Sequence, residues 1–257
     1  MGGALVRGLI AKGLGSQLVV IEPALGASDV RRYRNAGVTA AKAPTAVAGT
    51  KPRAIIFAIK PQMMPTVVPD YASASRAALV VSIAAGTTSA NIAGWLGGDC
   101  AIVRAMPNMP AAIGKGISAA FATHHVTPAQ RTLTERLLGA VGDVIWLVRE
   151  ELIDPVTALS GSGPAYVFLL VEALAKAGAA VGLPPEVALR LARKTVEGAG
   201  ALLAERKDSA EDLRRAVTSP GGTTEAALRI LMSERGLDPL MRAAVAAATA
   251  RGRELGK

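Results

Sequence analysis

Ala54-Ile55-Ile56-Phe57-Ala58-Ile59 runs straight into Lys60-Pro61-Gln62, and Leu79-Val80-Val81-Ser82-Ile83 runs into Ala84-Ala85-Gly86-Thr87-Thr88. Both are short apolar runs without polar alternation, the pattern of a strand covered on its two faces. Both end in small or proline-stiffened residues suited to a turn. Working outward, residues 18–21, 101–106 and 144–148 have the same strand character. Helical patterns stand between them at 4–12 and at 128–138, where Thr127 is placed to cap and Pro128 to occupy the first turn. This alternation predicts an α/β domain with a largely parallel sheet over residues 1–153.

After Ile153 the strand-like runs stop and Ala/Leu/Arg/Glu segments take over. Residues 154–257 read as a second, all-α domain with helices near 164–180, 185–205, 211–217, 224–234 and 239–255. Gly182 before Pro184-Pro185, and Gly236 before Pro239, are the punctuation expected between such helices. Tyr166 to Val171 is apolar on every side of a helix, which calls for neighbours all round. A second subunit is the expected neighbour, which predicts an oligomer, with burial of the helix within one chain as the alternative.

Of the 257 residues, 51% are apolar, enough for a sizeable core in each part. A single cysteine, Cys100, removes an internal disulfide framework and points to a reducing compartment, hence the cytoplasm. No secretory leader is read at the start. The most apolar stretch, 155–171, is interrupted by Ser160-Gly161-Ser162-Gly163-Pro164, so a turn rather than a membrane span is expected there. The net charge of +9 would permit anion binding, but the basic residues fall in small scattered groups with few aromatics between them. Solvated helix faces, with some charge used on cofactor phosphates, are expected rather than a nucleic-acid surface.

The segments that carry chemistry lie where strands end. Leu18-Val19-Val20-Ile21 ends at Glu22, whose carboxylate is placed to accept hydrogen bonds from an adenosine ribose. It would repel a phosphate there and so tilts the choice toward NADH, while Arg31 and Arg32 keep NADPH open. The strand ends at Lys60-Pro61-Gln62 and Ala84-Ala85-Gly86, and Arg104-Ala105-Met106-Pro107-Asn108, are where an open α/β sheet receives a ligand. In the helical part, Thr218-Ser219-Pro220-Gly221-Gly222-Thr223-Thr224 leads into a helix whose free N–H groups can hold a carboxylate. A dinucleotide-binding domain ordinarily opens with a strand and a glycine turn. Here Met1-Gly2-Gly3 leads directly into the helix pattern, so an incomplete phosphate loop and an open central sheet position are expected, with Met1 an internal methionine of a longer frame.

These segments, in this order, resemble the pyrroline-5-carboxylate reductases, together with Ser160-Gly161-Ser162-Gly163-Pro164-Ala165-Tyr166. The resemblance implies a Rossmann-type domain followed by a helical dimerisation domain, homodimers that assemble further, as far as a decamer, and an imino-acid substrate reduced by NADPH or NADH. It implies that Met1 and Gly2 end the pyrophosphate loop, that Ala58, Lys60, Pro61 and Ala84 lie along the cofactor, and that Asn108 comes near the nicotinamide. Ser219, Gly222, Thr223 and Thr224 would hold the substrate carboxylate and ring nitrogen, with Thr224 the catalytic hydroxyl and no metal required. Met109 departs from the threonine usual in the family. The alternatives are an inactive or truncated cofactor-binding homologue and a hydroxyacid dehydrogenase of similar plan. The latter should carry a lysine with an asparagine one turn later, whereas Lys176 is followed by Ala180.

Overall fold

The apolar runs become strands in the computed structural model, which describes residues 1–47 and 49–255. In chain order these are β1 (Val19–Ile21), β2 (Thr39–Ala41), β3 (Ala54–Phe57), β4 (Leu79–Ser82), β5 (Ile102–Met106), β6 (Gly116–Ala122) and β7 (Gly142–Trp146). They make two sheets. β1 and β2 pair in parallel as one, and β3-β4-β5-β6-β7 form the other. Within the larger sheet β3, β4 and β5 are parallel, β6 turns back antiparallel to β5, and β7 runs parallel to β6. The sheet is thus mixed, and the apolar runs that end at Lys60-Pro61 and Ala84-Ala85 lie in its parallel part. All four residues of β4 are fully buried, which is why that run shows no alternation.

Helices α1 (Gly2–Ala11), α2 (Ala27–Asn35), α3 (Ser89–Leu96) and α4 (Pro128–Leu138) pack on these sheets. α4 begins as its sequence dictates: the Thr127 hydroxyl accepts the Gln130 N–H while the Gln130 side chain accepts the Thr127 N–H, a reciprocal cap with Pro128 in the first turn. α1 serves both sheets. Its Leu5 enters the core of the five-stranded sheet beside Leu79, Val81 and Val103, while Val6 and Ile10 pack with Leu18, Val20 and Tyr33 over the two-stranded one. β1 and β3 do not pair with each other. Gly8 lets α1 lie close to the chain after α4, since a Cβ there would stand 2.6 Å from the Ala140 carbonyl oxygen.

The chain divides into two compact units, Met1–Gly161 with Ala248–Lys257, and Ser162–Ala247. In the first unit Arg104 holds Asp154, and the final turns of the last helix return there with Gly252 against the Asp154 side chain. The second unit is helical: α5 (Gly163–Ala180), α6 (Pro185–Glu205), α7 (Ala210–Ala216), α8 (Thr223–Leu231) and α9 (Leu237–Leu255), whose end belongs to the first unit. α5 packs on α6, with Gly178 admitting the Ala188 methyl.

One expectation is corrected. Ser160-Gly161-Ser162-Gly163-Pro164 does not break the chain into a turn; residues Thr157–Gly161 form a π-helical turn that passes directly into α5, with Pro164 in the first turn where its missing N–H is harmless. The hydroxyls of Thr157 and Ser160 bond back to the carbonyls of Ile153 and Val156. The continuous helical run Glu150–Ala180 is consequently long and apolar enough, by length and composition, to cross a membrane. Little of its apolar window is buried, and Val167, Phe168, Leu169, Leu170 and Leu174 are exposed.

Candidate active site

The carboxyl edge of the parallel strands gathers most of the expected residues of the first unit. α1 begins at Gly2 with no side-chain cap, and the Met1 carbonyl accepts the N–H groups of Ala4 and Leu5 at 2.8 and 3.2 Å. The helix start therefore carries free N–H groups and the positive end of the helix dipole. It rests on the end of β3, because a Cβ on Gly2 would lie 3.1 Å from the Ala58 Cβ. Ala58 and Lys60 are exposed just beyond β3, and Pro61 opens a 3-10 turn. The Ile83 N–H donates to the Phe57 carbonyl at 3.1 Å, tying the end of β4 beside Ala58. Ala84 follows, almost fully buried, its N–H directed to the Ser82 hydroxyl at 3.3 Å. Gly86 turns the chain at φ +69°, a conformation that favours glycine.

Asn108 lies just past β5, half-buried. Its Oδ1 accepts the Ile117 N–H at 3.0 Å, so the side chain is oriented and its Nδ2 donors remain for another acceptor. Met109 begins an exposed turn and is itself exposed. Glu22 stands exposed at the end of β1; its N–H extends the ladder to the Ala41 carbonyl and its Oε1 accepts the Ala24 N–H at 3.0 Å. One carboxylate oxygen remains for a ligand.

In the second unit the loop before α8 is tightly made. Gly221 sits at φ +71°, its N–H donates to Glu225 Oε2 at 2.6 Å, and the Gly222 N–H donates to the Ser219 carbonyl at 3.0 Å. Gly222 is the N-cap residue and has no side chain to fill the helix start, so Thr223 and Thr224 open α8 with their N–H groups uncapped by a side chain. Ser219 and Thr223 are exposed, and Gly222 and Thr224 half-buried.

Sequence reading missed one cluster. Arg104, in the middle of β5, is 4% exposed; its guanidinium donates to Glu150 Oε1 at 3.2 Å and lies 3.7 Å from Asp154 Oδ1. Glu150 in turn accepts the N–H and the hydroxyl of Ser89 at the start of α3. A charge inside an apolar strand was the available signal, since a buried cation needs partners. Elsewhere burial, with Asp99 adding to it, pushes the Cys100 thiol up from its usual range.

A family model described as pyrroline-5-carboxylate reductase dimerisation matches residues 150–255, and one described as NADP oxidoreductase, coenzyme F420-dependent, matches residues 1–86. The pyrroline-5-carboxylate reductase of Pseudomonas aeruginosa is 43% identical over 202 residues, covering 78% of this chain and 74% of the relative. That of Arabidopsis thaliana is 42% identical over 202 residues, covering 78% and 72%. The chain belongs to the pyrroline-5-carboxylate reductase family. Solved reductase structures share its fold: that from Coxiella burnetii is 37% identical with a TM-score of 0.91, covering 100% of this chain and 95% of its own. The Plasmodium falciparum pyrroline carboxylate reductase with NADP bound is 25% identical with a TM-score of 0.82 over the same shares. A Rossmann-type first part and a helical dimerisation part are thus the family architecture, and the exposed face of α5 falls inside the stretch matched by the dimerisation model.

Proposed function

We propose that this chain reduces 1-pyrroline-5-carboxylate to L-proline, the last step of proline biosynthesis, with NADPH or NADH as reductant. The observation that carries the reading is kinship: eight curated pyrroline-5-carboxylate reductases are 40–43% identical to it over 78–79% of its length.

The residues of the first unit suit a dinucleotide. The start of α1 offers uncapped N–H groups, and the hydrogen side of Gly2 faces Ala58 where a larger side chain would crowd the end of β3. In this reading residues 1–153 are the cofactor domain. Met1 and Gly2 hold the pyrophosphate, Glu22 accepts from the ribose, Ala58, Lys60, Pro61 and Ala84 line the cofactor, and the Nδ2 of Asn108 donates toward the nicotinamide end. The bound cofactor supplies a hydride to the imine carbon.

Residues 154–257 form the dimerisation and substrate domain. The N–H groups at the start of α8, with Ser219, Gly222 and Thr223, grip the substrate carboxylate, where the helix dipole favours negative charge. The Thr224 hydroxyl bonds to the ring nitrogen, which carries the proton that the product amine keeps. These groups orient rather than activate, because holding donor and acceptor in line supplies much of the barrier reduction. The apolar face of α5 is covered by a second copy of the chain, giving a homodimer in the cytoplasm that associates further, up to a decamer. The test is oxidation of NADPH or NADH, followed by absorbance, on addition of 1-pyrroline-5-carboxylate. Proline should form one-for-one, and absence of turnover with either cofactor would overturn the reading.

A further inference from the structure

The cluster around Arg104 joins three segments that are far apart in the chain. On β5, Arg104 and Met106 share one face by strand periodicity. Arg104 meets Glu150 and Asp154, while the Met106 terminal methyl would stand 2.8 Å from a Cβ at Gly161. This face of β5 is therefore seated on the segment 150–161. Glu150 carries the connection onward: besides Arg104 it accepts the backbone N–H of Ser89 at 2.7 Å and the Ser89 hydroxyl, closing the start of α3 across 61 residues. Ser89 follows Ala84-Ala85-Gly86-Thr87-Thr88 directly, and Arg104 precedes Asn108 by four residues. One carboxylate thus registers the turn after β4 against the strand that delivers Asn108.

The arrangement is specific rather than a mere pairing of charges. Arg104 is nearly sealed, and its Nε is buried without an acceptor among the described residues, so the guanidinium is held by its Nη atoms alone. A cavity of about 410 Å³ beside it is lined by Gly86, Thr88, Glu151 and Arg253, among others, so the turn after β4 is not wedged in place by packing on that side. The Ser89 hydrogen bonds to Glu150 hold the turn there, and within the turn Ala84 and Thr87 are buried.

We infer that Arg104 and Glu150 are positioning residues for hydride transfer: together they fix the turn at 84–88 and Asn108 in one register under the nicotinamide. This rests on the reductase reading given above. Neither residue touches the reacting atoms or is among those assigned to the pyrophosphate, so the pair should act on alignment more than on cofactor affinity. Misalignment of a hydride donor by about 1 Å costs roughly a hundredfold in rate.

The test uses Glu150→Gln, Arg104→Met and the double variant Arg104→Met/Glu150→Met in the full chain. In Glu150→Gln, kcat should fall at least about tenfold, with the calorimetric Kd for NADPH within about threefold of wild type and a larger primary isotope effect with 4-deuterated cofactor. Amide hydrogen exchange should accelerate at 84–89 and 107–110 while β4 stays protected. The double variant removes the buried cation together with its nearer carboxylate, leaving Asp154 partly exposed to solvent, and should melt above Arg104→Met, yet keep the low kcat. Recovery of kcat along with stability in the double variant would make the pair purely structural and overturn the inference, as would unchanged exchange in both turns. If the wild-type chain does not reduce 1-pyrroline-5-carboxylate, the functional reading fails, and the exchange measurement alone decides the clamp.

Discussion

Removing the Thr224 hydroxyl separates catalysis from stability, because the structure gives that group no work in holding the fold. Thr224 is the second residue of α8, half-buried, and its hydroxyl makes no hydrogen bond within the described residues. Thr224→Ala therefore orphans no partner and exchanges a β-branched residue for the best helix former. Stability should stay within about 0.5 kcal/mol, or about 2 °C in melting temperature. Catalysis should respond differently. A hydrogen bond to a charged ring nitrogen contributes about 1.5–3 kcal/mol, which corresponds to roughly a 10- to 150-fold loss in kcat/KM. Steady-state rates of NADPH oxidation with 1-pyrroline-5-carboxylate, alongside thermal melts, measure both quantities. Thr224→Val, which keeps the shape and the branching, should lose as much as alanine, and Thr224→Ser should stay within about threefold of wild type. Wild-type kcat/KM in Thr224→Val would refute the role assigned to the hydroxyl, whatever the melting temperature does.

Other expectations follow from the same geometry. Gly2→Val places branches where even a Cβ stands 3.1 Å from Ala58, so the start of α1 must lift and the calorimetric Kd for NADPH should rise at least about fivefold; tighter binding would place the pyrophosphate elsewhere. Glu22→Gln removes a negative charge from the proposed ribose site. At about 1 kcal/mol for charges 4 Å apart in water, the ratio of kcat/KM for NADPH over NADH should climb roughly fivefold, and an unchanged ratio would detach Glu22 from cofactor choice. Phe168→Glu puts a charge on the exposed face of α5, where Phe168 is 54% exposed in the single chain, and sedimentation should show the dimer weakened or lost; a fully retained oligomer would move the interface off this face.

Legibility followed burial. β3 and β4 were readable because their residues are apolar apart from Ser82 at the end of β4, although β3 ends at Phe57, two residues short of the expected Ile59. β2 was missed, since Thr39-Ala40-Ala41 is three residues long with small side chains. β6 was missed for a related reason: in Gly116-Ile117-Ser118-Ala119-Ala120-Phe121-Ala122 the alanines fit either state, and Gly116 is needed where a Cβ would strike Ala111. α2 is almost wholly polar and presents only Tyr33 as a fully buried residue, so its apolar stripe is too thin to show a period. α4 was readable at both ends because its cap is local, confined to Thr127, Pro128 and Gln130. α8 was not, since it stops at Leu231 rather than continuing to Glu234, with Gly236 pressed against the Leu231 carbonyl.

The candidate site divides along the same line. Glycines, prolines and hydroxyls at strand ends and helix starts announce themselves, because the backbone conformations they serve are local. Gly221 at φ +71° and the uncapped start of α8 both follow from six consecutive residues. The Arg104 cluster is of the other kind. Its members, Ser89, Arg104, Glu150 and Asp154, run from position 89 to position 154, and the one pair at helical spacing, Glu150 and Asp154, is alike in charge and so marks no partnership with the arginine. What the sequence does carry is half of the statement: an arginine between Val103 and Ala105, in a strand whose neighbours are buried, must find acidic company somewhere. Only the sheet order, which lays β5 beside β4 and brings 150–154 against it, says where. An orienting site needs such long-range ties, because its power lies in distances held between segments rather than in the reactivity of any one side chain.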